Sequence, residues 1–325
     1  MSKNNHIEHI FQIFDSSCTY ISEQFNKNYL EALIDTGEQL FQGEMVLETT
    51  DIQRKRLEKI YREFQEDQYT QEDVRRAFQL ATLKGLKEHT VPGTGVTPDA
   101  VVMFMGYLAK QLSPHPSSVL DLAVGSGNLL TGILNQYEEE IQAVATEVDS
   151  TLVRLAYVNA NLQQHAMDIF HQDGLKPLYT SASALTVCDL PVGLYPNKKV
   201  AKDYELYDEQ DLYTHHLLIE QSLRLTQPDG YLMFLIPNAI FSEPGAQKLR
   251  SFIMGQSHIQ ALLQLPEDMF QKGSIHKSIF ILQKKGENST KPKETLLAQL
   301  PSFSDAQKFS ATLTKINNWI KTEKV

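Results

Sequence analysis

The segment that most restricts what this chain can fold into is VLDLAVGSGNLL, residues 119–130. An apolar run holding one aspartate enters a turn with Gly125 and Gly127, and the turn passes at once into a second apolar stretch. A short apolar run bounded by turn residues reads as a buried strand. Glycine lets the backbone bend sharply and approach a neighbour that a side chain would hold off. A strand, a tight glycine turn and a helix in immediate succession open the crossover of a parallel α/β sheet.

The sequence that follows repeats the alternation. Apolar runs at 118–123, 141–148, 167–173, 184–190, 231–237, 260–266 and 277–284 predict seven strands, with helices between most of them, notably at 150–165 and 212–225. Strands that are apolar throughout belong to a sheet covered on both faces, which is mostly parallel. The last two runs are joined only by EDMFQKGSIH, too short for a helical crossover, so the final strand is expected to be antiparallel. The predicted fold is therefore α/β, a doubly wound seven-stranded sheet with a helical N-terminal domain.

The helical part rests on spacing. Ile7, Ile10, Phe11 and Phe14 recur at helical intervals, as do Leu57, Ile60, Tyr61 and Phe64. Thr70 and Asp73 form a helix-start pattern ahead of Val74, Ala77, Phe78 and Ala81 on one face. VPGTGVTP, residues 91–98, breaks the pattern as a loop, and a helix is predicted over 99–112. After Lys285 the chain is polar and lysine-rich, then amphipathic over 304–321. The expected domains are a helical domain over 1–90, the α/β domain over 91–285, and a tail with an amphipathic helix over 286–325.

Composition sets outer limits. With 42% hydrophobic and 22% charged residues, an ordinary globular chain is expected. The polar start MSKNNHIEHIF does not read as a signal peptide, and runs such as YLMFLIP are too short to span a bilayer. Cys18 and Cys188 lie far apart, so a reducing, cytoplasmic setting is the simpler expectation. The net charge of −10 argues against unaided gripping of duplex DNA, because that affinity comes largely from neutralising phosphates.

Doubly wound folds bind ligands beyond the carboxyl ends of their strands. Gly125 and Gly127 stand there, and Asp121 at the strand end suits a ligand ammonium; a tight turn without a ligand is the competing reading. Glu147 closes the second strand just over 20 residues past the glycine turn, where a carboxylate accepts two hydrogen bonds from a ribose diol. Asp149 is its companion or, equally, a helix-capping charge. Asp173 follows the third strand, placed either to accept from an adenine amine or to make the turn before Gly174. CDLPVGLYP, residues 188–196, follows the fourth strand and aims a side-chain oxygen and backbone carbonyls at one point, or else is a plain connection. A dinucleotide site is a rival, but the third glycine of that fingerprint is Leu130 here. His215 and His216 are neighbours and point about 100° apart on a helix, so no metal site is expected. Tyr195, Tyr204, Tyr207 and Tyr213 read as a mobile, solvated loop, or as a lid over a substrate.

The order of these motifs resembles the S-adenosylmethionine-dependent methyltransferases that act on adenine N6, above all the modification subunit of type I restriction systems. TPDAVVMFM resembles the Thr-Pro segment ahead of that family's first strand, DLAVGSGNLL its cofactor loop, and ATEVDSTLVRLAYVNANL its acidic second-strand motif. DGYLMFLIPNAIF, LRSFIMGQSHIQALLQLPEDMF and KSIFILQKK resemble its later strands. The small YtxK-like proteins of Gram-positive bacteria are similar too, with their Asp-Leu-Pro-Val-Gly segment. The resemblance implies a class I, Rossmann-like methyltransferase fold binding S-adenosylmethionine through Thr97, Pro98, Asp121, Ala123, Gly125, Ser126, Gly127, Asn128, Glu147, Asp149, Asp173 and Gly174. It implies catalysis by Asp189, Leu190 and Pro191, on DNA as the first-choice substrate, with a separate specificity subunit as partner, and with no membrane and no metal.

One departure stands out. The family's Asn-Pro-Pro-aromatic motif offers two acceptors to the target amine and a ring on which the base stacks. Here the four positions read Asp189, Leu190, Pro191 and Val192, so the acceptors are present and the ring is not. Such stacking is worth about 1–3 kcal/mol. Tyr195, three residues on, is the candidate replacement. RNA or a protein amide offers a similar planar amine. The alternative function is a regulatory or interaction module that binds the cofactor without methylating.

Overall fold

A computed structural model describes residues 3–65, 68–89, 95–271 and 273–323. Residues 91–94 of the predicted loop lie outside them; residues 95–98 have no regular structure. The helices are α1 (Lys3–Phe25), α2 (Tyr29–Gln42), α3 (Asp51–Tyr61), α4 (Gln71–His89), α5 (Asp99–Leu112), α6 (Asn128–Leu134), α7 (Ser150–Leu162), α8 (Lys198–Ala201), α9 (Thr214–Leu225), α10 (Ala246–Gln256) and α11 (Ala306–Glu323). The strands are β1 (Ser118–Asp121), β2 (Gln142–Glu147), β3 (Met167–His171), β4 (Ser183–Asp189), β5 (Thr226–Pro237), β6 (Ser257–Gln264), β7 (Lys277–Lys284) and β8 (Leu296–Gln299).

The sheet has eight strands in the order β3-β2-β1-β4-β5-β7-β6-β8. Strands β1, β4 and β5 run parallel to one another, and β7 is antiparallel to both β5 and β6, as the short β6–β7 connection requires. An eighth strand, β8, adds to the seven predicted and pairs parallel with β6. Its LLAQ alternates between half-buried and exposed, the pattern of an edge strand, inside a tail that reads as merely polar.

Backbone contacts divide the chain into two compact units. The first comprises Met1–Met103, Val124–Ala143 and Glu147–His171. Its helices start where side chains accept their free amides. Asn28 and Glu31 close a capping box on α2, Thr50 and Gln53 one on α3, and Thr70 and Asp73 hold each other's backbone N–H at the head of α4. The core gathers Ile10, Phe14, Leu33 and Phe78 from the N-terminal helices with Leu155 and Val158 of α7. Gly37 is required for this: a Cβ there would meet Val158 Cγ1 at 2.1 Å, so α2 passes α7 only without one.

The second unit comprises Phe104–Ala123, Val144–Thr146 and Gln172–Val325. Leu217, Ile219, Phe234, Leu249, Ile253 and Phe280 form the centre of its core. Burying each such side chain contributes about 1.5–3 kcal/mol. Phe104 meets Phe303 and Phe309, and Tyr107 donates to Asn317 Oδ1 at 2.5 Å, which docks the amphipathic α11 on α5. Among the described residues no helix is long and apolar enough to cross a membrane.

Candidate functional site

The glycine turn is built around Glu147. Its Oε2 accepts from Gly125 N at 2.9 Å, and its Oε1 accepts from Val148 N at 2.8 Å and Asp149 N at 3.0 Å. The carboxylate thereby joins the end of β2 to the turn that precedes α6. The two glycines differ in what surrounds them. Both have positive φ, +57° at Gly125 and +81° at Gly127. A Cβ on Gly127 would lie 3.3 Å from Ala156 Cα, tight against α7. A Cβ on Gly125 would meet no atom of the described residues within 4 Å. Gly127 thus serves the packing of the turn, whereas Gly125 presents bare backbone to open space beside Glu147. Val148, next along, is 64% exposed and offers an apolar surface at the same place; its neighbour His171 is fixed by Nε2 to Val148 O at 3.0 Å.

The other residues of this turn hold it in shape. Asn159 Nδ2 donates to Ser126 O at 3.1 Å. Asn128 is buried, donates from Nδ2 to Thr97 O at 3.0 Å, and accepts at Oδ1 from Arg75 Nη1 at 2.7 Å. Arg75 has no exposed side-chain surface and also binds Glu72, at 2.6 and 2.7 Å, and Asp99. A guanidinium buried this deeply is tolerable only because its donors meet carboxylates and an amide oxygen. The chain Arg75–Asn128–Thr97 fixes the start of α6 and the Thr97–Pro98 segment. Asn128 and Thr97 stand out in the sequence, whereas Arg75 does not, because its partners stand up to 53 positions away. Asp149 caps α7, accepting from Thr151 N at 2.8 Å and Leu152 N at 2.9 Å.

In the second unit, Asp121 is 1% exposed; its Oδ1 accepts from Ala123 N at 3.0 Å, and the Cys188 thiol bonds to it. Burial, followed by that carboxylate, pushes the Cys188 thiol well up. Asp173 makes a turn, accepting from Leu175 N at 3.0 Å, and accepts from Tyr195 Oη at 2.5 Å. Gly174 is squeezed against the segment just after β1: a Cβ would lie 2.4 Å from Leu122 O. Tyr195 lies in the hydrophobic core, 8% exposed, and burial first, then Asp173, raises its hydroxyl pKa. Its ring is therefore packed, not displayed.

Asp189 ends β4 with its side chain 23% exposed and forms an ion pair with Lys277 at the start of β7. Leu190 is buried, its N–H donating to Leu235 O at 3.2 Å, and Pro191 is exposed. The following segment is pinned by Tyr195 N to Leu212 O at 2.7 Å and Thr214 N to Gly193 O at 2.9 Å. The tyrosine-rich stretch expected to be mobile is anchored as well. Tyr204 is buried and donates to Leu175 O at 2.6 Å, and the fully buried Glu220 accepts from Glu205 N and Leu206 N, each at 2.8 Å. Lys277 gave no signal in sequence, because an ion pair across 88 positions depends on strand order.

His215 and His216 open α9 as neighbours, yet both reach Glu243 in the β5–α10 connection. The Nε2 atoms of both rings face the same Glu243 Oε2, and the rings cross edge to face at 86°.

Comparisons with known proteins agree with this architecture. The family model described as N-6 DNA Methylase matches residues 86–318, and that of the YtxK N-terminal helical domain matches residues 8–86. YtxK of Bacillus subtilis (strain 168) is 38% identical over 328 residues, covering 99% of this chain and all of the relative. The crystal structure of a "putative class I S-adenosylmethionine-dependent methyltransferase" from Listeria monocytogenes superposes with a TM-score of 0.90 at 35% identity, over 98% of this chain and 99% of that one. The methyltransferase subunit of a type I restriction-modification system from Streptococcus thermophilus shares the fold, with a TM-score of 0.66 at 13% identity, over 94% of this chain and 74% of that one. The sheet order, the glycine turn and the matched residues lead to one conclusion: the chain belongs to the N-6 DNA methylase family, with a YtxK-type helical domain ahead of its methyltransferase fold.

Proposed function

We propose that this protein binds S-adenosylmethionine at the glycine turn and transfers its methyl group to an amino nitrogen, with DNA adenine the first-choice acceptor. The observation that carries the reading is the arrangement at Gly125: bare backbone with open space where a Cβ would stand, beside a carboxylate already aimed at the turn and an exposed apolar side chain. These features fit a nucleoside. Glu147 has about four lone-pair directions, three of them used by backbone N–H groups, so holding both hydroxyls of a ribose releases one such bond. The Gly125 N–H is the one in place to give way. Val148 supplies an apolar contact for a base, Asn128 and Thr97 keep the turn in shape, and Asp121 holds the end of β1 from inside.

S-adenosylmethionine, when bound, supplies an electrophilic methyl on its sulfonium. The chain's own contribution is to orient the acceptor and exclude water. Asp189 and the carbonyl of Leu190 accept hydrogen bonds from the target amine, which directs the nitrogen lone pair at the methyl. Pro191 stiffens the turn that carries them. The acidic chain leaves phosphate neutralisation to a partner, consistent with a specificity subunit like those that accompany type I modification subunits.

A second reading is favoured by Val192 at the stacking position, the buried Tyr195 ring and the Lys277 partner on Asp189. In it the protein binds the cofactor and acts as a regulatory module. Tritiated methyl transfer to DNA, RNA and total protein from cells lacking the gene separates the two. Label in one of these acceptors supports the transferase, and label in none of them, with cofactor binding intact, supports the module.

A further inference from the structure

We propose that His215, His216 and Glu243 form a binding site for one divalent transition-metal ion of the zinc class, independent of the methyl-transfer reading. One ligand atom from each residue lies within 4.8 Å of the others. Glu243 Oε2 stands 2.8 Å from His215 Nε2 and 3.5 Å from His216 Nε2. Zinc bonds to nitrogen and oxygen of about 2.0–2.2 Å in tetrahedral geometry place ligand atoms roughly 3.3–3.5 Å apart. The His216–Glu243 pair already has that spacing, and the His215–Glu243 pair reaches it by opening about half an ångström.

The donor chemistry points the same way. His215 is fully buried and His216 nearly so, while the Glu243 side chain keeps 17% exposure. Among the described residues His216 Nε2 has no hydrogen-bond partner although it faces a carboxylate, and an orphaned buried nitrogen calls for an explanation. Both imidazole rings are withdrawn from solvent, and an imidazole nitrogen is a borderline-soft donor suited to a zinc-class ion. Two imidazoles and one carboxylate match a three-ligand zinc site with one position left for water.

The ion would fasten the first turn of α9 to the β5–α10 connection. Tyr213, immediately before α9, forms an isolated antiparallel bridge with Leu194, five positions after Asp189. A metal clip would therefore stiffen the segment behind the Asp-Leu-Pro-Val turn.

The test uses the full chain after chelator treatment. Co2+ is the spectroscopic probe, through the intense visible absorption of tetrahedral coordination, and Zn2+ is titrated by calorimetry. The expected result is one equivalent of each ion and a thermal midpoint that rises with Zn2+. Glu243→Gln and His216→Gln should each weaken binding at least about tenfold, while His115→Gln, at an exposed histidine, leaves it unchanged. Circular dichroism in chelator checks that each variant is folded. Absence of saturable binding by the wild-type chain overturns the proposal whatever the variants do, and so does wild-type affinity in folded Glu243→Gln and His216→Gln.

Discussion

The Asp189 carboxylate is ion-paired with Lys277, and the pair reaches across β5, the strand that separates β4 from β7. Asp189 is in register with Leu235 of β5, and Lys277 with Pro237 two residues on. The residue proposed to accept hydrogen bonds from a substrate amine thus already holds a cation. Both side chains keep about a quarter of their surface exposed, at 23% and 24%, so the pair is worth only about 0–1 kcal/mol to stability. Its interest lies in function. An acceptor oxygen shared with an ammonium draws less strongly on a target amine, and a substrate that displaces Lys277 regains the full carboxylate.

Removing the acceptor and removing its partner should therefore have different effects. Asp189→Ala is expected to abolish methyl transfer and leave S-adenosylmethionine affinity within about twofold, whereas Lys277→Met is expected to retain transfer. Both variants should melt within a few degrees of wild type, as expected for a part-exposed pair in a chain of this size. The measurement is single-turnover transfer of labelled methyl, alongside calorimetry. Unchanged turnover in Asp189→Ala would place the chemistry elsewhere.

The two glycines of the turn should separate stability from binding. Gly127→Ala adds a Cβ at φ +81°, 3.3 Å from the α7 backbone, and is expected to cost more than about 1 kcal/mol of stability. Gly125→Val points its branch into open space at φ +57° and is expected to cost about as much in strain, but to lose cofactor binding as well. Urea unfolding and calorimetry on both variants check this. Equal losses of binding per kcal/mol of stability would contradict the division of roles.

Arg75 should be the most sensitive position of the first unit. Arg75→Met strands Glu72, Asp99 and the Asn128 amide without their shared donor, a change expected to cost about 3–5 kcal/mol. Arg75→Lys should recover little, because a single ammonium cannot reproduce the two-pronged contact with Glu72 and the Asn128 bond together. Equilibrium unfolding followed by far-ultraviolet circular dichroism gives the answer.

His165 gives a pH signature. Burial lowers its pKa from 6.5 to about 4, and its Nε2 pairs with Asn135 Oδ1 at 2.6 Å. The unfolded chain binds this proton more readily than the folded one, so the histidine's contribution is present above pH 6.5 and is lost as pH falls toward 4. His165→Gln keeps a donor for Asn135 and removes the titration. Its thermal midpoint should fall less steeply between pH 6.5 and 4 than that of wild type, and parallel curves would refute the assignment.

Much of the fold was legible because the strands are continuous apolar runs with polar ends: β7 lies at 277–284 and α5 at 99–112, as predicted. The misreadings have physical causes. β5 begins at Thr226, five residues before the apolar run, because Gln-Pro-Asp-Gly reads as a turn; it is strand here, with Asp229 at φ +69° and a register shift against β4. β8 is short and half exposed, so it leaves no buried stripe to detect. At the site, the sequence displayed the glycine turn and Glu147, which are local in chain order. Arg75, Lys277 and Glu243 depend on partners brought in by tertiary structure, and Tyr195, which resembled a stacking ring, was claimed by the core and by Asp173.

The central claim is that the backbone beside Gly125 and the carboxylate of Glu147 hold a sulfonium nucleoside. Isothermal titration of the wild-type chain, Gly125→Val and Glu147→Ala with S-adenosylmethionine and with NAD tests it most directly. One equivalent of S-adenosylmethionine is expected for wild type, with at least about tenfold weaker binding in both variants and no heat with NAD. Tight NAD binding without S-adenosylmethionine binding, or wild-type affinity for S-adenosylmethionine in both variants, would contradict it.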